Sequence, residues 1–111
     1  MRQLTRLIAI ILAAPVFLGA GPVYGVILFN SKALGGAFIS IACPGAAPAT
    51  GSTLDDGSYR VPVPQQGRCT FAVTSRSFPG PLRTEIVSLQ DAAAYNFVVV
   101  AGNGAYQLKR R

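Results

Sequence analysis

TLDDGSYRVPVPQQGRCTFAV, from Thr53 to Val73, is the stretch on which the reading of the fold turns. Asp55-Asp56-Gly57 supplies a turn, because Gly takes positive φ at no steric cost and Asp side chains bond to nearby backbone. Tyr59, Val61 and Val63 then alternate with Ser58, Arg60 and Pro62, the period of a strand with one buried face. Pro64-Gln65-Gln66-Gly67 reverses the chain, and Cys69, Phe71 and Val73 alternate with Thr70 and Ala72. The pattern predicts a β-hairpin, with strands over 58–64 and 68–75, on which the rest of the chain packs.

Outward from this stretch, Val23 to Phe29 is β-branched, aromatic and apolar, as a strand requires. Ala37 to Cys43 is a second strand, with Ile39, Ile41 and Cys43 on one face and Phe38, Ser40 and Ala42 on the other. Residues 44–52 are rich in Pro, Gly, Ala and Thr without periodicity and read as a mobile loop; 76–81, containing Phe78-Pro79-Gly80-Pro81, reads as another break. Further strands are expected over 82–90, 95–101 and 105–109, the last two joined by Gly102-Asn103-Gly104, a strong hairpin signal. Seven short strands with turn chemistry between them, and no sustained helical periodicity, predict an all-β, seven-stranded antiparallel β-sandwich.

The chain has 111 residues, enough for one domain. Arg2 and Arg6 precede the apolar run Leu7 to Leu18, followed by small residues, which is the layout of a secretory signal peptide. The alternative is an uncleaved anchor or a buried helix. Cleavage after Ala20, with Gly25 as a second candidate, divides the chain into a signal peptide, 1–20, and a domain, 21–111. The formal charge of +6 includes Arg2 and Arg6. Three further cations end the chain and read as a solvated tail, not as the dense basic stripe that nucleic acid requires. Cys43 and Cys69 each follow the apolar phase of their strands, where they can meet. An even count in a small exported chain predicts a disulfide, the alternative being two buried thiols.

The pattern G-V-I at 25–27, L-G-G-A-F-I-S-I at 34–41, T-L-D-D-G-S-Y at 53–59 and G-R-C-T-F-A-V at 67–73 resembles the carboxypeptidase regulatory-like domain. Y-N-F-V-V at 95–99 and Y-Q-L-K-R at 106–110 look like the closing strands of small exported bacterial members. Ala33 stands where that family often has Pro, and Cys69 where an aromatic is usual. The resemblance implies a transthyretin-like (prealbumin-like) sandwich and a non-catalytic accessory role. Its motifs encode turns and core positions, not a site.

The composition narrows the chemistry. The chain has no His, so the commonest general base and metal ligand is missing, and no catalytic or metal-ligating set emerges. Asp55 and Asp56 read as turn residues before they read as cation ligands. Glu85 and Asp91 lack anything to support an acid pair. The expectation is therefore an exported, periplasmic or secreted, non-catalytic domain with a protein-interaction or structural role, neither an enzyme nor a cofactor protein. It makes no contact with nucleic acid, or with membrane once the signal is removed. Carbohydrate binding and enzyme inhibition are the alternatives, the former weakened by the absence of Trp. Phe38, Val98 and Val100, opposite the presumed core, and Phe78, in a presumed loop, are the candidate interaction surface, provided that Phe38 and Val98 share a sheet. Otherwise they are scattered surface apolar residues.

Overall fold

The computed structural model describes residues 20–111, so the expected signal segment, up to residue 19, lies outside the described residues. Among those described there are ten strands and no helix: β1 (Val23–Phe29), β2 (Lys32–Ala33), β3 (Phe38–Ala42), β4 (Ala49–Ser52), β5 (Ser58–Val61), β6 (Gly67–Ser75), β7 (Phe78–Ser88), β8 (Ala93–Ala94), β9 (Phe97–Gly102) and β10 (Ala105–Arg110). They form two sheets. One runs β10-β9-β1-β2, with β5 and β8 also paired to β1; the other runs β4-β3-β6-β7. Ile27, Ile39, Ile41, Val61, Phe71, Val73, Phe97 and Val99, each 2 % exposed or less, fill the space between them.

Several expectations are corrected. The stretch 53–73 is not a hairpin: β5 pairs with β1 in one sheet and β6 with β3 and β7 in the other. Pro62 and Pro64 have no N–H to extend a ladder, so the chain leaves the first sheet at Val61 and crosses to the second. The pairing is not purely antiparallel either, since β1 runs parallel to both β9 and β8. Seven strands become ten because β2 and β8 are two-residue bridges and β4 forms within the expected loop. Gly51 permits β4, for a Cβ there would lie 2.8 Å from Val61.

The hairpin partner of β6 is β7. Pro79 to Pro81 sit where the β6–β7 register shifts between Val73 and Ser75, on an edge strand where missing donors are tolerated. That register turns Phe78 inward: it is 5 % exposed and packs edge-on to Phe29 at 6.0 Å, so it is a core residue and not a loop recognition group. Phe38, 49 % exposed, lies on β3, while Val98 and Val100 lie on β9 in the opposite sheet, half-buried. The patch that would join them does not form, because outer faces of opposite sheets point apart.

Other local readings describe the structure well. Asn103 and Gly104 both take positive φ and close the β9–β10 hairpin. The Asp56 carboxylate accepts hydrogen bonds from the Ser58 hydroxyl (2.6 Å) and N–H (2.9 Å), which hold it below its ordinary pKa. Cys43 and Cys69 are joined by a disulfide. It continues the β3–β6 ladder past Ala42–Thr70, so it crosses strands within one sheet. Thr53 is buried; its hydroxyl donates to the Leu34 carbonyl (2.6 Å) and accepts from the Ala37 N–H (2.8 Å), fixing the connection before β3.

Candidate functional site

The sandwich is open along the side where β7, an edge of one sheet, faces β9 and β10 of the other. Along β10, Tyr106 and Leu108 pack on the core, and the same period-two phase carries Arg110 to that side, opposite Phe97. The Arg110 guanidinium lies over the Tyr95 ring, 4.2 Å from its centroid, and donates to the Ala94 carbonyl at 3.1 Å. The Tyr95 ring also stacks with Phe97, at 6.0 Å and 16°.

Tyr95 is held at both ends. Its hydroxyl accepts from the Val87 N–H (2.9 Å) and donates to the Val87 carbonyl (3.2 Å), standing in for a neighbouring strand at the free edge of β7. Its backbone N–H donates to the Tyr24 carbonyl, and its carbonyl accepts the Tyr59 hydroxyl at 2.6 Å. Gly25 makes that approach possible, because a Cβ there would stand 2.0 Å from the Tyr95 carbonyl oxygen. Burial pushes the Tyr59 hydroxyl far above its ordinary pKa; Tyr95 adds to the effect and Arg110 opposes it.

Tyr95 and Arg110 line a cleft of about 300 Å³ together with Arg68, Thr84, Glu85 and Val87. Arg68 pairs with Glu85 at 3.7 Å, both largely exposed. Two guanidiniums and a carboxylate thus line one cleft together with the rings of Tyr95 and Phe97. Such a cleft can hold a small anion through bidentate Arg hydrogen bonds, and Glu85 can exchange a proton with a bound molecule. Among the described residues no group of His, Cys, Asp or Glu gathers to hold a metal ion.

Sequence reading missed this site. As part of the basic terminus Arg110 reads as solvated, although its phase with Tyr106 and Leu108 marks it as inward. Glu85 carries no role in the sequence, because nothing there supports a pair with Asp91. Of the expected surface residues, none lines the cleft.

No family model matches the chain, and no curated protein matches it. Among solved structures, the 5-hydroxyisourate hydrolase of Klebsiella pneumoniae superposes with a TM-score of 0.61 at 17 % identity, over 82 % of this chain and 98 % of that one. The fold is a transthyretin-like β-sandwich. An (S)-allantoin synthase also matches, at a TM-score of 0.49 and 17 % identity, over 85 % of this chain and 44 % of that one. The hydrolase overturns the expectation of a non-catalytic interaction or structural domain that is not an enzyme: the family resemblance and the missing His suggested that role, yet a protein of this fold is a hydrolase.

Proposed function

We propose that the protein binds a small anionic molecule in the Arg68–Tyr95–Arg110 cleft and hydrolyses it there. The observation that carries this reading is the Arg110 guanidinium, fixed on Tyr95 in a cleft that Arg68 and Glu85 also line. In this scheme Arg110 and Arg68 hold the anion and the oxyanion that develops on attack. Glu85 takes a proton from water as its oxygen bonds to the ligand's electrophilic carbon, and returns that proton as the bond to the leaving group breaks. The hydrolase that shares the fold makes 5-hydroxyisourate the first substrate to try.

The domain is further read as an exported member of the carboxypeptidase regulatory-like family, with residues 1–20 a signal peptide and 21–111 the domain, working in the periplasm or outside the cell. The Cys43–Cys69 disulfide supports export, since such bonds persist in oxidising compartments. No helix among the described residues is long and apolar enough to cross a membrane.

The test is consumption of 5-hydroxyisourate above its spontaneous decay, alongside the effect of benzoate and other small acids on the melting temperature. Arg110→Ala is expected to weaken anion binding by about 1.5–3 kcal/mol, the worth of a hydrogen bond to a charged group. Glu85→Gln is expected to leave binding in place and remove turnover. Absence of both turnover and any acid-induced stabilisation would overturn the proposal.

A further inference from the structure

The cleft explains what Arg110 does but not what places it. Arg110 is the last residue of β10, and among the described residues no strand pairs with the outer edge of β10. A side chain so placed ordinarily samples many rotamers. Here the guanidinium rests on Tyr95 and bonds to the Ala94 carbonyl, while Tyr95 is set by its hydroxyl bonds to Val87 and by its backbone, which leaves β8 and enters β9 through Asn96. The hydrogen bond from Tyr59 to the Tyr95 carbonyl reaches that backbone from the interior. Tyr59 is 4 % exposed, its ring packs on Phe71 at 5.5 Å, and Phe71 packs on Phe97 at 4.7 Å. Phe97 in turn stacks on Tyr95. Tyr59 therefore reaches Tyr95 by two routes, one hydrogen bond to its carbonyl and one chain of rings to its face.

We propose that Tyr59, which does not line the cleft, is the positioning residue for the Arg110 guanidinium and acts on it through Tyr95. The inference rests on the reading of the cleft as an anion site, and its geometry can be tested apart from that reading. A buried hydroxyl one residue layer behind the site fixes a main-chain carbonyl, and the ring on that main chain fixes the cation. The role differs from packing, because a Phe at position 59 keeps the ring contacts and removes only the bond to Tyr95.

The test uses the full chain with its disulfide intact and measures two things. The first is the ring-current shift of the Arg110 Nε–H and Nη–H protons, which the Tyr95 ring produces only while the two are stacked. Tyr59→Phe is expected to collapse that shift toward the value of a free Arg, and 4-aminophenylalanine at position 59, which restores an N–H donor, is expected to recover it. The second is benzoate affinity. It is expected to fall about tenfold in Tyr59→Phe, the low end of what a lost hydrogen bond to a charged group costs. In an Arg110→Ala background the same substitution is expected to cost nothing further. An unchanged Arg110 ring-current shift in Tyr59→Phe overturns the inference, as does full additivity of the two substitutions. If Tyr59→Phe fails to fold, the 4-aminophenylalanine variant decides alone: a folded variant lacking the stacked shift also overturns it. Should wild-type protein ignore benzoate while the shift behaves as expected, the anion-site reading fails and the positioning role stands.

Discussion

Replacing Thr53 by Val keeps the volume of the side chain and deletes its hydroxyl. That hydroxyl bridges the Leu34 carbonyl and the Ala37 N–H across a buried connection. The Thr53 backbone bonds to the same segment, its N–H to the Ala37 carbonyl and its carbonyl to the Gly36 N–H, at 2.9 and 3.0 Å. Val therefore stays in place and leaves one buried donor and one buried acceptor facing a methyl group. Each orphaned group costs about 1–3 kcal/mol, and the added apolar atom returns roughly 0.8 kcal/mol. The expected loss is about 3 kcal/mol, or on the order of 15 °C in melting temperature for a domain of this size.

Thr53→Ser is the control: it keeps both hydrogen bonds and loses one buried methyl, at about 1 kcal/mol. Urea unfolding followed by tyrosine fluorescence or far-UV circular dichroism, with the disulfide intact, measures both. The order matters more than the values. If Val is as stable as Ser, or more so, Thr53 acts by packing and the hydrogen-bonded bridge contributes little.

Three further outcomes follow from the same structure. Cys43→Ser with Cys69→Ser, or reduction, opens a loop with a sequence separation of 26 and is expected to cost about 3.5 kcal/mol, lowering the urea midpoint by about 2 M. Gly25→Ala places a Cβ against the Tyr95 carbonyl and is expected to destabilise by more than about 2 kcal/mol, whereas Gly36→Ala, where φ is +70° but no atom lies within 4 Å, pays only backbone strain of about 1–2 kcal/mol; equal losses in urea melts would count against the close-approach account. The Tyr59 hydroxyl has its folded pKa raised above the unfolded value of 10.0, so the unfolded chain loses that proton first and stability falls as pH rises past 10. Tyr59→Phe is expected to flatten that alkaline decline, and an identical slope in a pH series of melts would refute it.

Much of the fold could be read in the sequence because local chemistry and tertiary structure agree there. Alternation marks the inward residues of β1, β3, β6 and β9, Asn103-Gly104 marks its hairpin, and Asp56-Gly57 marks its turn. Where local chemistry is silent about distance, sequence reading fails. Tyr59–Val61 and Cys69–Val73 carry the same period, and nothing in that period says that they belong to opposite sheets. The two prolines between them carry the information, through the donors they lack. Pro79 and Pro81 mislead in the other direction: a proline pair reads as a break, yet an edge strand with a register shift absorbs both. The cleft was the least legible part. Its members come from β6, β7, β9, β10 and Tyr95, two residues before β9, and only the lateral opening between two sheets brings them together.

That opening makes the site depend on strand register to an unusual degree. Arg110 faces the cleft because it stands opposite Phe97, and that pairing is fixed at the far end of the hairpin by the positive φ angles of Asn103 and Gly104. A slip of one residue in β10 would turn Arg110 to the outer face and bring Lys109 or Arg111 to the inner phase. Charge alone would survive such a slip, since all three residues are cations. In the observed register the stacking on Tyr95 and the bond to the Ala94 carbonyl belong to Arg110, while Arg111 bonds through its backbone N–H to the Asn96 carbonyl. The basic end of the chain is thus two things at once. Lys109 and Arg111 are solvated charges that discourage edge-to-edge pairing of β10, and Arg110 between them is a placed group. Composition cannot distinguish them; the register of one hairpin does.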